Sequence, residues 1–467
     1  MSTLTPKYLG ATPIDQHGMG AHGKLPAKEK TPARVMFVYV MWAIVWYDPD
    51  WFAATHGATV IFVKLYALMY LPVFLLLAKH GRREAVFWPY LLVLAIHLIW
   101  IPFALNRGFV INGLGKVFQF CALFSLTVSV LDTPRQMIPL LKLFLFQFVW
   151  FGVQGLLAGG IVGWHPHLAN EDSYGPFMTL GLGYSYYLAM GANEKAYRRW
   201  AFLVCLLCMA GTVVSFARGA MISLCVVFGA IAVRTPRKLA FLGLGTILAV
   251  VGLVAIQIAF PNGEFWDEMA TIFSEGKEAG TGLQRWVLWT TAWEVFTSSP
   301  LLGVGPGNYG ATAAEYFLSQ GATNLGSTFD HPGKLYMMAL HNDFVQVMVE
   351  QGVIGLFGLL AMLVYFHKAT RFLRTEAVRK VWHEHTGGFI DSVNLALGLE
   401  AAMVAYLANA FFYNQYYTNW LWSIMMLALV AASLARRVLP DSLRNPIPRR
   451  NFIGGISRQK ILHGGHK

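Results

Sequence analysis

The chain is poor in charge. Of its 467 residues, 13% are Asp, Glu, Lys or Arg, where soluble domains carry about 25%. The deficit excludes an ordinary soluble fold. With 56% hydrophobic residues and a mean hydropathy of +0.49, much of the apolar surface must be covered by lipid. Cysteine is scarce too: Cys121, Cys205, Cys208 and Cys225 all lie in apolar segments. Cys205 and Cys208 have CxxC spacing, but no second pair exists. That argues against a metal or redox site and leaves small hydrophobes packed between helices. Acids are outnumbered, 24 against 36 Lys and Arg, giving +12. In a soluble protein such a charge would suggest nucleic acid. Here the bases sit in short loops and the tail and no recognition fold is visible, so nucleic acid is excluded as a partner. A cleavable signal peptide is missing as well. Residues 1–33 are polar and rich in Gly, Pro and Lys, and read as a disordered cytoplasmic extension.

Apolar runs are what the chain has in abundance. Spans are expected near 35–50, 58–78, 86–105, 110–131, 137–162, 174–192, 200–216, 219–233, 239–260, 341–366, 393–413 and 417–435. The expected fold is an all-α membrane protein with about 12 transmembrane helices. Aromatics reach 14%, with 15 Trp, which suits anchoring at the membrane interface. Loop charges alternate. One set carries Lys79, Arg82 and Arg83, then Arg135, then Lys195, Arg198 and Arg199, then Arg234, Arg237 and Lys238, then Lys368 to Lys380; the intervening loops carry Asp48 and Asp50, the lone Arg107, Glu171 and Asp172, then Arg218, before the long loop. The positive-inside rule then makes both termini cytoplasmic. The chain divides into a 1–33 extension, helices 1–9 over 34–260, a large outer loop over 261–340, helices 10–12 over 341–437, and a basic tail over 438–467 that can lie against anionic headgroups. The outer loop holds eight acids and three bases, a net −5 with His neutral. Within it, 283–298 reads as an amphipathic helix with Trp286, Trp289, Trp293 and Phe296 on one face, lying in the interface.

Three outer features carry chemistry. Arg218 interrupts apolar sequence in Ser215-Phe216-Ala217-Arg218-Gly219-Ala220. It either snorkels or clamps an anion, because guanidinium presents a rigid donor fork to phosphate. The second feature joins Gln284-Arg285-Trp286 to Pro300-Leu301-Leu302-Gly303-Val304-Gly305-Pro306-Gly307-Asn308-Tyr309-Gly310. Residues 305–310 match GxGxxG, but no strand precedes them, so a dinucleotide fold is excluded. A tight Gly/Pro turn remains, and such a turn can present backbone N–H groups to an anion. The third is Leu340-His341-Asn342-Asp343, opening a helix that runs through Glu350-Gln351-Gly352. His341 suits a general base, or a structural role at the interface. Glu350 lies nine residues on, half a turn out of phase, and needs a partner of its own. His165-Pro166-His167 with Asn170, Glu171 and Asp172 reads as a glycan-facing polar loop rather than a metal site, because a full ligand set is missing.

In combination these motifs resemble the O-antigen ligase/polymerase superfamily, over roughly 170–365 in motif and the whole chain in topology. The resemblance implies a multi-pass enzyme of the bacterial inner membrane. It would move a glycan from an undecaprenyl-pyrophosphate carrier to an acceptor hydroxyl at the periplasmic face, with no metal and no cofactor. It implies Arg218 and Arg285 as pyrophosphate ligands and His341 as the catalytic base. Asn342 and Asn308, with Asn170 and Asp172, become possible substrate ligands. The acceptor is another glycan unit in a polymerase and lipid A core in a ligase. The net-negative loop disfavours the anionic core and tilts the reading toward a polymerase of O-antigen or exopolysaccharide units. Two readings of other classes compete: a non-catalytic assembly component, and a lipid-linked sugar transporter using Lys64, Lys116, Lys142 and Glu400.

Overall fold

A computed structural model describes residues 32–48, 87–236, 238–274, 280–321 and 332–440. Most of the 1–33 extension, the expected span 58–78 with Lys64, and the basic tail beyond 440 lie outside the described residues.

The described chain is helical. In order come α1 (Ala33–Tyr47), α2 (Phe87–Trp100), α3 (Arg107–Val130), α4 (Ile138–Leu157), α5 (Glu171–Gly191), α6 (Lys195–Val214), α7 (Arg218–Arg234), α8 (Lys238–Ala259), α9 (Glu264–Ser274), α10 (Gly280–Ser298), α11 (Tyr309–Ser319), α12 (Asp343–Leu373), α13 (Glu376–Thr386), α14 (Ser392–Asn409) and α15 (Asn419–Val438). Among the described residues the one extended pairing is an isolated bridge from Ala192 to Ile390. Every expected apolar run within the described residues coincides with a helix. Five helical segments are long and apolar enough to cross a membrane: α3, Pro134–Leu157, α6, α12 and α15.

Small residues set the packing of the bundle. A Cβ on Gly181 of α5 would sit 2.5 Å from the Phe148 ring of α4, and one on Gly183 would sit 2.8 Å from Ala401 of α14. α5 is therefore squeezed on two sides, as close helix contact in lipid requires. Some polar side chains inside the bundle pair across helices. Trp42 Nε1 donates to Thr127 Oγ1 at 2.9 Å, and Asn409 Nδ2 donates to Thr179 Oγ1 at 2.8 Å. At the end of α7 opposite Arg218, Glu400 of α14 lies 3.2 Å from both Arg234 and Arg374. The guanidinium groups are not aligned for hydrogen bonding, so that link is coulombic.

A second, smaller core forms around α10. Leu288, Ala292 and Val295 pack with Tyr309, Ala313, Ala314, Leu335 and Leu340. The helix expected over 283–298 is present, but its apolar stripe is split. Leu288, Ala292 and Val295 face protein, while Trp286 and Trp293 face outward at 43% and 57% exposure. Trp289 turns inward and donates to the Leu340 carbonyl at 2.8 Å.

The Gly/Pro segment docks into a break in α12. Gly352 has φ 67° and ψ −169°, which interrupts the helix. The backbone groups that this break frees are met by the loop. Val304 N and Gly305 N donate to the carbonyls of Val349 and Glu350, at 3.0 and 2.9 Å. Val353 N and Ile354 N donate to those of Pro300 and Leu301, at 2.9 and 3.3 Å. In an apolar setting such groups must find partners inside the protein. The Gly-rich turn and the Glu-x-Gly element are thus two halves of one joint.

Candidate active site

The joint corrects the expectation that the glycine turn offers its N–H groups to an external anion. Those of Val304 and Gly305 are used by α12, and that of Gly307 donates to Glu350 Oε2 at 2.8 Å. The turn does cradle a carboxylate, but it is the chain's own. Glu350, 2% exposed, finds its partner there and in Gln346 Nε2 at 3.1 Å. His341 precedes the cap of α12, so helical phase does not govern it. Even so, the two residues line different cavities.

Helices α5, α7, α9 and α10, with the segments before α12 and α15, converge on a cavity of about 280 Å³ lined by Asp172, Arg218, Gln284, Arg285, His341 and Tyr413, among others. Arg218 is the first residue of α7. The preceding turn holds Phe216 at φ 55°, and His341 itself sits at φ 52°. Left-handed backbone is uncommon away from glycine. Two of the three such residues among the described residues therefore flank this cavity. Arg218 Nε lies 3.3 Å from Glu268, and its Nη1 donates to Thr271 Oγ1 at 2.5 Å. Arg285, in the second turn of α10, has no ion pair recorded among the described residues.

His341 makes no hydrogen bond recorded among the described residues. Burial lowers its pKa from the usual histidine value, the Arg285 charge lowers it further, and Asp172 partly offsets both. The imidazole is thus neutral at neutral pH and able to accept a proton. Tyr413 had no distinguishing signal in the sequence. Its hydroxyl accepts the Gly219 N–H at 3.0 Å. Burial and the hydrogen-bonded Asp172 carboxylate raise its pKa, so the phenol stays protonated. The turn carrying Tyr413 is held by Asp343, 1% exposed. That carboxylate accepts from Gln415 N at 2.7 Å, Tyr416 N at 2.9 Å and the Tyr406 hydroxyl.

The asparagines fall elsewhere. Asn308 is fully buried. Its Oδ1 accepts from Asn106 N at 2.6 Å, and its Nδ2 donates to Asn106 O and Pro306 O. Asn342 caps α12, its Oδ1 accepting from Phe344 N and Val345 N at 3.0 and 3.1 Å. Asn170 is exposed, at the N-cap of α5. None of the three lines the cavity, whereas Asp172 does.

His165 and His167 turn inward. His165 Nε2 lies 3.3 Å from Asp48, and Lys116 Nζ lies 2.9 Å from His167 Nε2. Burial, then Lys116 and His165, push the His167 pKa down to about 3. No group of three or more His, Cys, Asp or Glu able to hold a metal occurs among the described residues. The charged groups considered for transport have separate neighbours. Lys142 lies 4.7 Å from the Phe389 ring centroid, Lys116 bonds His167, and Glu400 faces two arginines. Along α7 from Met221 to Ala232, α6, α7 and α8 form an apolar groove of about 540 Å³. Met221, Leu224, Phe228, Phe241 and Leu253 are among its lining residues.

Residues 201–360 match the family model described as O-antigen ligase. The match spans Arg218, Arg285 and His341 and supports the resemblance to the O-antigen ligase/polymerase superfamily. No curated protein matches the chain.

Proposed function

We propose that the protein is a glycosyltransferase of the bacterial inner membrane. It moves a glycan from undecaprenyl pyrophosphate to an acceptor hydroxyl at the periplasmic face. The observation that carries this reading is the convergence of Arg218, Arg285 and His341 on one cavity. In the reaction, the acceptor oxygen attacks the anomeric carbon and His341 takes the hydroxyl proton. The bond from the anomeric carbon to the pyrophosphate oxygen breaks, and the electron pair leaves with the pyrophosphate. Arg218 and Arg285 face the charge that grows on it, in place of a metal. Tyr413, protonated, directs its single hydroxyl proton to Asp172 and accepts from Gly219 N, which fixes this rim of the cavity. In this reading the apolar groove beside α7 seats the polyprenyl chain, the cavity lies near the membrane surface, and both termini are on the cytoplasmic side of a bundle of about 12 spans.

Two acceptors fit. A polymerase reading is favoured by the −5 of segment 261–340, which repels a phosphorylated core. A ligase reading is favoured by the description of the matching family. The test is transfer in membranes of a null strain carrying wild type, His341→Ala or Arg285→Lys at equal expression. His341→Ala should abolish product. Arg285→Lys keeps the charge but loses the fork and should lose most of it. Full activity in His341→Ala sinks the assignment. Product on lipid A core identifies a ligase, and lengthened lipid-linked chains identify a polymerase.

A further inference from the structure

A second cavity of about 300 Å³ lies against the first. Its lining includes Asn112, Lys116, Tyr336, Gln346, Glu350 and Tyr417, and it shares Met338 with the catalytic cavity. The short segment Met338–His341 is the wall between them. Ala339 faces the second cavity and His341 the first. Trp289 pins this wall through the Leu340 carbonyl.

The second cavity is lined by a basic and an acidic side chain, Lys116 and Glu350, that do not pair with each other. No salt bridge joins Lys116 to Glu350, or either of them to another charge, among the described residues. The Lys116 ammonium has three donors, of which two are used, on His167 Nε2 at 2.9 Å and on the Tyr417 carbonyl at 3.0 Å. Glu350 accepts from Gly307 N and Gln346 Nε2 on its two oxygens and also from the Tyr309 backbone, which leaves about one of its four lone-pair sites. Unpaired charges lining one partly buried cavity are costly unless something polar lies between them. An anionic ligand would be repelled by Glu350, and a cationic one by Lys116. A molecule with many hydroxyl groups satisfies both, because each hydroxyl donates and accepts. Tyr336 and Tyr417 add aromatic surface for the apolar faces of sugar rings, and Asn112 adds an exposed amide. The size is at the lower end of ligand pockets.

We propose that this cavity binds the acceptor saccharide through its non-reacting hydroxyls and feeds the reacting one over Met338 to His341. The proposal rests on the glycosyltransfer reading for its purpose. The test uses full-length protein in proteoliposomes with two variants. Asn112→Trp fills the cavity from a side chain with no hydrogen bond recorded among the described residues. Lys116→Gln removes the cation. Lipid-linked repeat unit serves as donor, and donor and acceptor concentrations are varied separately. Binding of the oligosaccharide released from the polymer by mild acid is followed by saturation-transfer NMR. The acceptor KM should rise at least tenfold in both variants, with donor KM within twofold and oligosaccharide binding lost. Unchanged acceptor KM and unchanged binding in Asn112→Trp overturn the proposal. So does a rise confined to donor KM, which would assign the cavity to the donor. If wild type binds oligosaccharide, loses it in Asn112→Trp, and yet never forms a glycosidic bond, the cavity stands and the transferase reading falls.

Discussion

Replacing Gly352 by alanine tests the joint between α12 and the 300–307 loop. An alanine Cβ at this position would lie 2.1 Å from the Leu301 carbonyl oxygen and 2.3 Å from its carbon. Both are backbone atoms, so no rotamer change relieves the clash. The backbone at φ 67°, ψ −169° also belongs to a region open almost only to glycine, with a cost of roughly 1–3 kcal/mol. If the loop retreats, four hydrogen bonds go with it, each worth about 1 kcal/mol net. Together these give roughly 5–7 kcal/mol of destabilisation. The partner position makes the same argument from the other side: a Cβ on Gly303 would lie 2.4 Å from the Glu350 carbonyl carbon. Thermal unfolding of detergent-purified protein is the assay, with Gly229→Ala as control. A Cβ on Gly229 meets nothing within 4 Å, so that variant should be as stable as wild type or slightly more so. Gly352→Ala and Gly303→Ala should each lower the melting temperature markedly. The double variant should cost less than the sum, because the second change acts on a joint already broken. A Gly352→Ala protein with wild-type melting and activity refutes the account of the joint.

The remaining predictions concern the site. Because burial and Arg285 lower the His341 pKa, its neutral form persists to more acid pH, and the acid limb of kcat/KM against pH should lie below the usual histidine value of 6.5. Arg285→Gln removes a charge that opposes the imidazolium, so in its residual activity that limb should move upward. Glu268→Gln releases Arg218 from a half-exposed ion pair at 3.3 Å. Such pairs are worth up to about 1 kcal/mol, so donor KM should fall by roughly two- to fivefold. Asp343→Asn leaves one oxygen for three donors. It should cost about 1–3 kcal/mol in unfolding measurements and lower activity through the displaced Tyr413 turn. Chelation with EDTA should leave the transfer rate unchanged, since the reaction is assigned to guanidinium groups.

Helices were the easiest part to read, because an apolar run with charged ends is a local property. Arg218, Arg285 and His341 were legible for a related reason: each is out of keeping with its surroundings, and the structure brings all three to one cavity. Asn308 and Asn342 stood in the same motifs, but their amides close backbone turns, and sequence position does not reveal which way a side chain points. Tyr413 was hidden for the opposite reason, lying among Phe411, Phe412, Tyr416 and Tyr417 with nothing to mark it out. The tie between Gly303 and Gly352 is a long-range contact, and one sequence carries no sign that two distant glycines face each other. The tryptophan stripe on α10 was correctly phased. Trp286 and Trp293 do point outward, while Trp289 turns to the Leu340 carbonyl, a split that spacing alone does not reveal.

The length of α7 ties the candidate site to the membrane itself. Its 17 residues rise about 25 Å, less than the roughly 30 Å of a typical hydrocarbon core. Arg218 at one end pairs with Glu268, and Arg234 at the other with Glu400, so both ends of the helix carry charge. On the proposed topology, a bilayer of ordinary thickness must pinch inward beside α7, drawing a lipid-bound pyrophosphate down to the level of Arg218. Thicker membranes resist that pinch. Acyl-chain length then acts as a rheostat on turnover, and reconstitution into phosphatidylcholine bilayers of increasing chain length should slow the enzyme without altering its fold.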